Sequence, residues 1–245
     1  MHVDDETRLQ FFGDLLNQSS APNVGSLTEF QRRLLRMLIA QVADQVIDKN
    51  TNLQAAAGLL WSHPQVRNEL VDLFRMLSER VDHVHHPLDV PADVPLQVHG
   101  RYTRIEILAA FGIKNEAKVG AWQTGVYWAK DAKADLFAFT LDKTSGNFSP
   151  TTRYRDYAIS RELIHWESQS ATREASATGK RYKSHVKVGS HIMLFARLKQ
   201  SERAFWFLGP GTYVKHEGER PMAVEWRLHH PLPGDLYAAF AAAVA

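Results

Sequence analysis

The first 82 residues place apolar side chains three and four positions apart, which is the period of an amphipathic helix. Four stretches carry this period, and each predicts a helix with one face in a core. They are marked by Leu9, Phe12 and Leu16; by Phe30, Leu34, Leu35, Leu38, Ile39, Val42 and Val46; by residues 53–60; and by Val66, Leu70, Leu73, Phe74, Leu77 and Val81. Ser26 and Glu29 form an S-x-x-E capping box before the second stretch, and Pro64 suits the first turn of the fourth. The pattern predicts a small helical bundle over residues 1–82.

Prolines interrupt the helical period after this bundle. Pro87, Pro91 and Pro95 are spaced by four residues, which excludes a regular helix. We therefore predict an interdomain linker over residues 83–97. The linker also holds His83, His85 and His86. Because no cysteine or carboxylate accompanies these histidines at ligand spacing, we predict a solvated segment and no metal site.

The period of the pattern changes beyond the linker. Thr103 and Glu106 form a capping box that opens a helix ending at Gly112. Short β-branched and aromatic runs follow, punctuated by glycine and proline, which is typical of an antiparallel sheet or a small barrel. The runs are 125–128, 134–141, 163–167, 190–196, 204–208, 212–214 and 222–228, and an alanine-rich helix over 236–244 closes the chain. The predicted fold class is α+β, with a helical bundle followed by a mainly antiparallel, β-barrel-like domain over residues 98–245 with flanking helices.

Composition narrows the class of protein. Apolar residues make up 44% of the chain and charged residues 23%, which is typical of globular proteins and not of disordered ones. The chain has no cysteine, which excludes disulfide frameworks, thiolate metal sites and cysteine nucleophiles. No apolar run approaches the roughly 20 residues that cross a bilayer, and the acidic start lacks the layout of a signal peptide. We expect a cytoplasmic protein.

Charge is divided unevenly along the chain. Residues 1–97 hold 8 Lys or Arg against 13 Asp or Glu, a net charge of −5. Residues 98–245 hold 21 against 14, a net charge of +7. Such asymmetry suggests that the second half meets a polyanion such as a nucleic acid, although a net charge of +7 is also common in soluble proteins without such a partner.

The most informative segment covers residues 147–160 and continues over 165–170. It crowds short polar side chains, aromatic rings and arginines together. This mixture suits a surface that contacts phosphates through Arg, Ser and Thr and stacks bases on aromatic rings. Downstream, residues 173–187 are rich in lysine and arginine and contain a single acid, Glu174. Their small polar residues predict a mobile, solvated loop. Its positive charge suits either a clamp on a phosphate backbone or a charge run that only contacts solvent.

Several of these segments together resemble one bacterial family. They are residues 102–108 (YTRIEIL), 135–137 (DLF), 148–160 (FSPTTRYRDYAIS), 165–170 (HWESQS) and 216–221 (HEGERP). The family is a domain of unknown function found at the carboxyl end of large DEAD/DEAH-type helicases, often behind an amino-terminal phospholipase-D-type nuclease. The resemblance spans residues 98–233 and implies DNA-directed work in repair, restriction or phage defence, beside helicase and nuclease domains of the same polypeptide. It implies no catalytic residues.

The motifs of the helicase motor are absent from this sequence. It has no G-x-x-x-x-G-K-[ST] phosphate loop and no Asp-Glu-x-His box, so we expect no ATP hydrolysis. His185 and Lys187 match two letters of the phospholipase-D H-x-K motif, but the following aspartate is missing. We therefore expect no catalytic activity in this chain by itself.

The first of three functional hypotheses is a DNA-binding accessory or reader module that recognises a modified or extruded base. Stacking faces would come from Trp128, Tyr154, Tyr157 and Trp166; base-edge hydrogen bonds from His165, Ser168 and Gln169; and phosphate contacts from Arg153, Arg155, Lys180, Arg181 and Lys183. No cofactor is expected under this hypothesis.

Two alternatives stay open beside it. Asp135 and the Glu167-x-Gln169 triplet resemble the D…E-x-K pattern of metal-dependent nucleases, with Gln in place of Lys. Carboxylates on neighbouring strands would there hold Mg²⁺ and activate a water. The other alternative is a non-catalytic protein-interaction module, for which the acidic helical half is the best fit.

Overall fold

The computed structural model describes residues 2–89, 91, 93–113, 119, 121–142 and 156–243 of the chain. The chain forms two compact units, Met1–Gln123 and Thr124–Ala245. The division lies further along the chain than the proline-rich segment that we predicted as a linker. Residues 83–97 belong to the first unit because their apolar side chains, Leu88, Val94 and Leu96, are buried. Within the described residues, no helix is long and apolar enough to cross a membrane.

The first unit contains the predicted helices. They are α1 (Glu6–Leu16), α2 (Glu29–Val42), α3 (Leu53–Trp61), α4 (Pro64–Ser78) and α5 (Arg104–Ala110). Short strands β1 (His86–Pro87) and β2 (Gln97–Val98) pair with each other, and β3 (Arg101–Thr103) precedes α5. The predicted capping box is confirmed at α5. The Thr103 side chain accepts a hydrogen bond from the Glu106 backbone N–H, and the Glu106 side chain accepts one from the Thr103 backbone N–H.

Two details of the predicted bundle are wrong. Ser26 does not cap α2, because it ends a short 3₁₀ turn over Val24–Ser26. The cap is instead Thr28, which forms a capping box with Gln31. The apolar stripes also bury less than their period predicts. Val46 lies beyond the end of α2 and is 73% exposed, and on α4 the buried residues are Leu70 and Phe74.

A buried arginine joins the start of the chain to α5. The Arg8 side chain is fully buried, and each of its five guanidinium N–H groups has an acceptor. The acceptors are the carboxylates of Asp4, Asp5 and Glu106 and the carbonyl oxygens of His2 and Arg101. The guanidinium also lies 4.1 Å from the ring centroid of Tyr102. Burial lowers the pKa of Arg8, but the surrounding carboxylates outweigh it and raise that pKa above its ordinary value.

The second unit is built on one sheet. Its strands are β4 (Val126–Ala129), β5 (Ala134–Thr140), β6 (Tyr157–Ala158), β7 (Leu163–Glu167), β8 (His191–Arg197), β9 (Ala204–Glu217) and β10 (Ala223–Leu228), with helices α6 (Ala177–Ser184) and α7 (Gly234–Ala242). The order across the sheet is β4-β5-β8-β9-β10-β7-β6, antiparallel throughout this path except for the parallel pair β5–β8. Two runs that we predicted as separate strands form the single strand β9. They join at Gly209, whose φ of 92° favours glycine and where the register with β8 shifts.

The sheet curls strongly around an aromatic core. Phe137 on β5 stacks on Trp166 of β7 at 4.2 Å between ring centroids, although three strands lie between them in the sheet order. A flat sheet would separate these two strands by about 19 Å, since neighbouring strands are about 4.8 Å apart. Helices α6 and α7 add Tyr182 and Phe240 to the same core. The α+β fold class is therefore confirmed, with a curled sheet whose end strands β4 and β6 are not paired to each other in the described part of the chain.

Candidate nucleic-acid interface

The prediction of a mobile loop over residues 173–187 is wrong, because this basic segment contains helix α6. Ser176 caps this helix by accepting a hydrogen bond from the Gly179 backbone N–H. Tyr182 anchors it, since this side chain is 2% exposed and meets Phe137 edge-on at 5.1 Å. The signal was present in the sequence, as a serine cap followed by one large aromatic residue within a cationic run. The lysines of this helix are therefore presented on a fixed support.

A close backbone approach fixes where α6 lies. A Cβ atom added to Gly179 would be 2.2 Å from the carbonyl oxygen of Arg173. That distance is far below van der Waals contact, so a side chain at this position would displace the helix from the preceding loop. Sequence reasoning missed this requirement, because a glycine near a helix start has no unique explanation.

Arg181 on α6 is occupied by the sheet. Its Nε and Nη2 donate to the two carboxylate oxygens of Asp135 at 2.6 and 2.8 Å, and its guanidinium lies 4.1 Å from the ring centroid of Trp128. Burial raises the pKa of Asp135 above its ordinary value, and the hydrogen bonds from Arg181 oppose that rise. The structure thus uses Arg181 and Trp128 to hold α6 against β4 and β5, which argues against the predicted phosphate and stacking roles.

The lysines of α6 and of the loop that follows it face solvent. Lys180 and Lys187 are exposed, and Lys183 is exposed while it pairs with Glu174. Glu174 also lies 3.6 Å from His216, whose Nδ1 is 2.7 Å from the hydroxyl oxygen of Tyr213. No aspartate or glutamate occurs between residues 175 and 201. We call Lys180, Lys183 and Lys187 the lysine ridge.

Strand β7 divides the predicted binding residues between the two faces of the sheet. Successive side chains on a strand point to opposite faces. Trp166 points inward, is 4% exposed and stacks on Phe137, so the structure corrects its predicted role as a base-stacking face. Ser168 is also buried, and its Oγ accepts a hydrogen bond from the Met222 backbone N–H at 2.9 Å, so it joins β7 to β10 and does not read a base edge.

The outward residues of β6 and β7 form a half-exposed aromatic pair. The rings of Tyr157 and His165 stack at 4.5 Å with an interplanar angle of 13°. Across the sheet, His165 lies opposite Glu225, which forms an ion pair with Lys215 at 3.1 Å. Polar and aromatic groups therefore share this outer face. We call Tyr157 and His165 the outer aromatic pair.

The residues of the predicted nuclease site do not assemble. Asp135 lies on the same face of β5 as the inward Phe137 and is buried against Arg181. Glu167 follows the inward Trp166, so its side chain points to the outer face, and the exposed Gln169 lies beyond the strand end. In the part of the chain that the structure describes, no group of three His, Asp or Glu residues is placed to hold a metal ion. The two-carboxylate site is therefore not formed by Asp135 and Glu167.

Three further predicted phosphate-binding and stacking residues, Arg153, Tyr154 and Arg155, lie outside the described residues.

Comparison with known proteins completes the description. Two crystal structures of Arabidopsis thaliana SUVH6 in complex with SAM resemble this chain, with sequence identities of 13% and 11% and TM-scores of 0.39 and 0.35. Each alignment covers 94% of this chain but only 41% and 40% of the SUVH6 chains, so the chain spans about two fifths of their length, and the likeness is too low to support an argument about function. No curated protein matches the sequence. A family profile described as "Domain of unknown function (DUF3427)" matches residues 96–240, which is more than half of the chain, and the protein therefore belongs to that family.

Proposed function

We propose that the second unit is a DNA-binding accessory module that contacts the phosphate backbone through the lysine ridge. The observation that carries this proposal is that α6 is both cationic and fixed. Tyr182 holds the helix on the core and Arg181 holds it on the sheet, while Lys180 and Lys187 stay exposed. Phosphate contacts orient a protein on nucleic acid best when the side chains stand on a rigid element.

The loop after α6 supports the same assignment. Val186 and Val188 flank Lys187 and are 67% and 55% exposed. Exposed apolar side chains next to cations are typical of interaction surfaces, because the apolar groups contact sugars while the cations neutralise phosphates. The tip of this loop would lie against the backbone of the nucleic acid.

Under this proposal, base recognition belongs to the outer aromatic pair and not to Trp166. Tyr157 and His165 already stack on each other, and a flipped or single-stranded base would extend the stack. On the sequence resemblance stated above, we further propose that the module works beside helicase and nuclease domains in DNA repair, restriction or phage defence.

Fluorescence anisotropy with labelled DNA tests the backbone contact. The variant Lys180→Ala/Lys187→Ala should bind about tenfold more weakly and should reduce the slope of log affinity against log salt by about two. The matched control is Lys199→Ala/Arg203→Ala, which also removes two exposed positive charges but lies beyond the other end of β8. Equal losses in both variants would reduce the effect to net charge, and no loss in the ridge variant would exclude α6 as the contact.

The aromatic contribution needs a separate measurement. Tyr157→Ala should weaken binding to single-stranded DNA by about 1–3 kcal/mol, the usual contribution of one stacked base, and should affect plain duplex less. Comparing plain, methylated and single-stranded DNA of the same sequence then shows whether an unpaired or modified base is preferred. Unchanged binding to all three would remove the outer aromatic pair from the proposal.

A further inference from the structure

The first unit holds an arginine-lined cavity that the proposed DNA contact does not use. Its volume is about 400 Å³, within the range of small-molecule sites. Arg32, Arg33 and Arg36 on α2 line it together with Glu29, and Val24 and Leu53 add apolar surface. All of these residues lie within the first unit.

One carboxylate fixes two of these guanidinium groups. The Nε atoms of Arg32 and Arg33 donate to the two oxygens of Glu29 at 3.0 and 2.9 Å. Partial burial raises the pKa of Glu29, but the hydrogen bonds from Arg33 and Arg32 outweigh it and hold that pKa below its ordinary value. Glu29 is thus ionised at neutral pH, and the two arginines are held side by side without free rotation.

The cluster keeps an excess of positive charge. Among the described residues that line the cavity, three guanidinium groups face one carboxylate, that of Glu29. Glu29 uses only the Nε donors of Arg32 and Arg33. Among the described residues, the Nη groups of Arg32 have no acceptor, and its side chain is 38% exposed. Arg36 is held in place by a hydrogen bond of 2.8 Å from its Nη2 to the carbonyl oxygen of Ile113.

We propose that this cavity binds a phosphomonoester of nucleotide size. Adjacent, pre-oriented arginines match a tetrahedral phosphate dianion, because a guanidinium presents parallel N–H donors to two oxygens. The two Nη groups of Arg32 provide such a pair, and Arg33 adds its Nη2, since its Nη1 donates to the carbonyl oxygen of Ala110 at 3.5 Å. Arg32 and Arg33 hold the phosphate, and Val24 and Leu53 contact the carbon part of the ligand. The cavity volume suits a ligand that carries a sugar and a base, and the cavity lies in the first unit, whereas the lysine ridge lies in the second.

Isothermal titration calorimetry on the full chain tests this site with three probes. The probes are deoxyadenosine 5′-monophosphate, inorganic phosphate and deoxyadenosine. We expect the nucleotide to bind at one site, inorganic phosphate to bind more weakly, and the nucleoside not to bind at millimolar concentration. Equal binding of inorganic phosphate and nucleotide would overturn the nucleotide part of the proposal, and no binding of either would overturn all of it.

Matched variants assign the site. Arg32→Ala should weaken nucleotide binding by at least about tenfold, since it removes a charge-assisted contact. Arg75→Ala removes an arginine whose ion pair with Asp72 is also i,i+3 but lies on α4, and it should leave binding unchanged. Glu29→Gln should tighten binding severalfold, because removal of the competing negative charge outweighs the loss of one of the two hydrogen bonds that orient Arg32 and Arg33.

Arg32→Ala should weaken nucleotide binding and Glu29→Gln should tighten it, and these opposite effects distinguish a change at the site from misfolding. A damaged fold would weaken binding in both Arg32→Ala and Glu29→Gln, and that result would contradict the proposal. Lys180→Ala/Lys187→Ala should bind the nucleotide at this cavity like the unmodified chain. Loss of nucleotide binding in the ridge variant would show that the probe binds α6 and not α2.

Discussion

Arg8 in the first unit and Arg181 in the second have the same kinds of partner, an aromatic ring and carboxylate groups, but they differ in burial. Each guanidinium lies 4.1 Å from an aromatic ring centroid, that of Tyr102 for Arg8 and that of Trp128 for Arg181. The Arg8 side chain is fully buried among three carboxylates, whereas that of Arg181 is 21% exposed and has one carboxylate, Asp135.

Burial determines how many internal hydrogen-bond acceptors each guanidinium group needs. A guanidinium removed from water must satisfy every donor inside the protein, and Arg8 does so with five acceptors. Arg181 needs fewer, because solvent reaches part of it. A partly exposed arginine can therefore anchor α6 at the margin of the sheet while the neighbouring lysines remain at the surface.

Of the variants that test this difference in burial, Arg8→Met should cause the largest loss of stability. The change leaves Asp5 and Glu106 buried without their cation, and it should lower the free energy of unfolding of the first unit by about 3–5 kcal/mol. Hydrogen–deuterium exchange resolved along the chain measures it as lost protection in α2 and α5. Arg75→Met, which breaks an exposed ion pair, serves as the control and should change protection little. Equal protection in both variants would contradict a structural role for Arg8.

Trp166→Ala probes the aromatic core of the second unit. Removal of this buried ring should lower the free energy of unfolding by about 3–5 kcal/mol, because it leaves a cavity beside Phe137. Urea denaturation followed by circular dichroism gives the stability, and anisotropy gives the DNA affinity of the fraction that remains folded. A stable variant that has lost DNA binding would return Trp166 to the role that the sequence predicts.

Arg181→Met should cost less than Arg8→Met, about 1–3 kcal/mol, because it leaves one buried carboxylate, Asp135, without its cation, whereas Arg8→Met leaves more than one. The double variant Arg181→Met/Asp135→Asn should recover part of this loss, since it also removes the unpaired charge. Urea denaturation of both variants measures the recovery. A double variant less stable than Arg181→Met alone would show that Asp135 has a partner more important than Arg181.

Acidification should have the smallest effect, and it acts on the second unit through His185. The Nε2 of this histidine accepts from the Tyr213 backbone N–H at 3.1 Å, so the neutral ring is the one that fits. Burial lowers its pKa below the ordinary value of about 6.5. As pH falls through that ordinary value, the unfolded chain takes up a proton that the folded chain resists, so the free energy of unfolding decreases.

His185→Gln separates this contribution from the other titrating groups. Glutamine keeps an acceptor for Tyr213 but does not titrate. The stability difference between the unmodified chain and the variant should therefore narrow between pH 7.5 and pH 5.5, as measured by urea denaturation. A difference that stays constant over this interval would exclude His185 as a source of the pH dependence.

Much of the fold follows from local signals in the sequence. The Thr103 capping box, the helix that starts at Pro64 and the apolar strand over Ala134–Thr140 are each determined within a few residues, and the structure has them where the pattern predicts. The sequence pattern does not predict helix α6, because this helix has no apolar periodicity. It is held by the packing of Tyr182 on Phe137, a residue far away in the sequence.

The candidate site was harder to predict than the fold. A strand pattern gives alternation but not which face is inward, so Trp166 and His165 looked equally available for stacking. The pairing of Arg181 with Asp135 joins residues on two elements that are far apart in the sequence, so no local spacing predicts it. The composition of residues 173–187 predicts that this segment is cationic, whereas tertiary contacts determine which of its lysines and arginines remain at the surface.

The parallel pairing of β5 with β8 has a consequence for how the chain acquires this structure. Strand β5 ends at Thr140 and β8 begins at His191, so the two can meet only after a long loop closes. Such high contact order slows folding, whereas the helices of the first unit form from local contacts. Every residue of β5 is buried in the native state, and until β8 arrives this strand exposes an apolar edge that other chains can pair with. We therefore expect fragments that end before β8 to aggregate during synthesis or refolding.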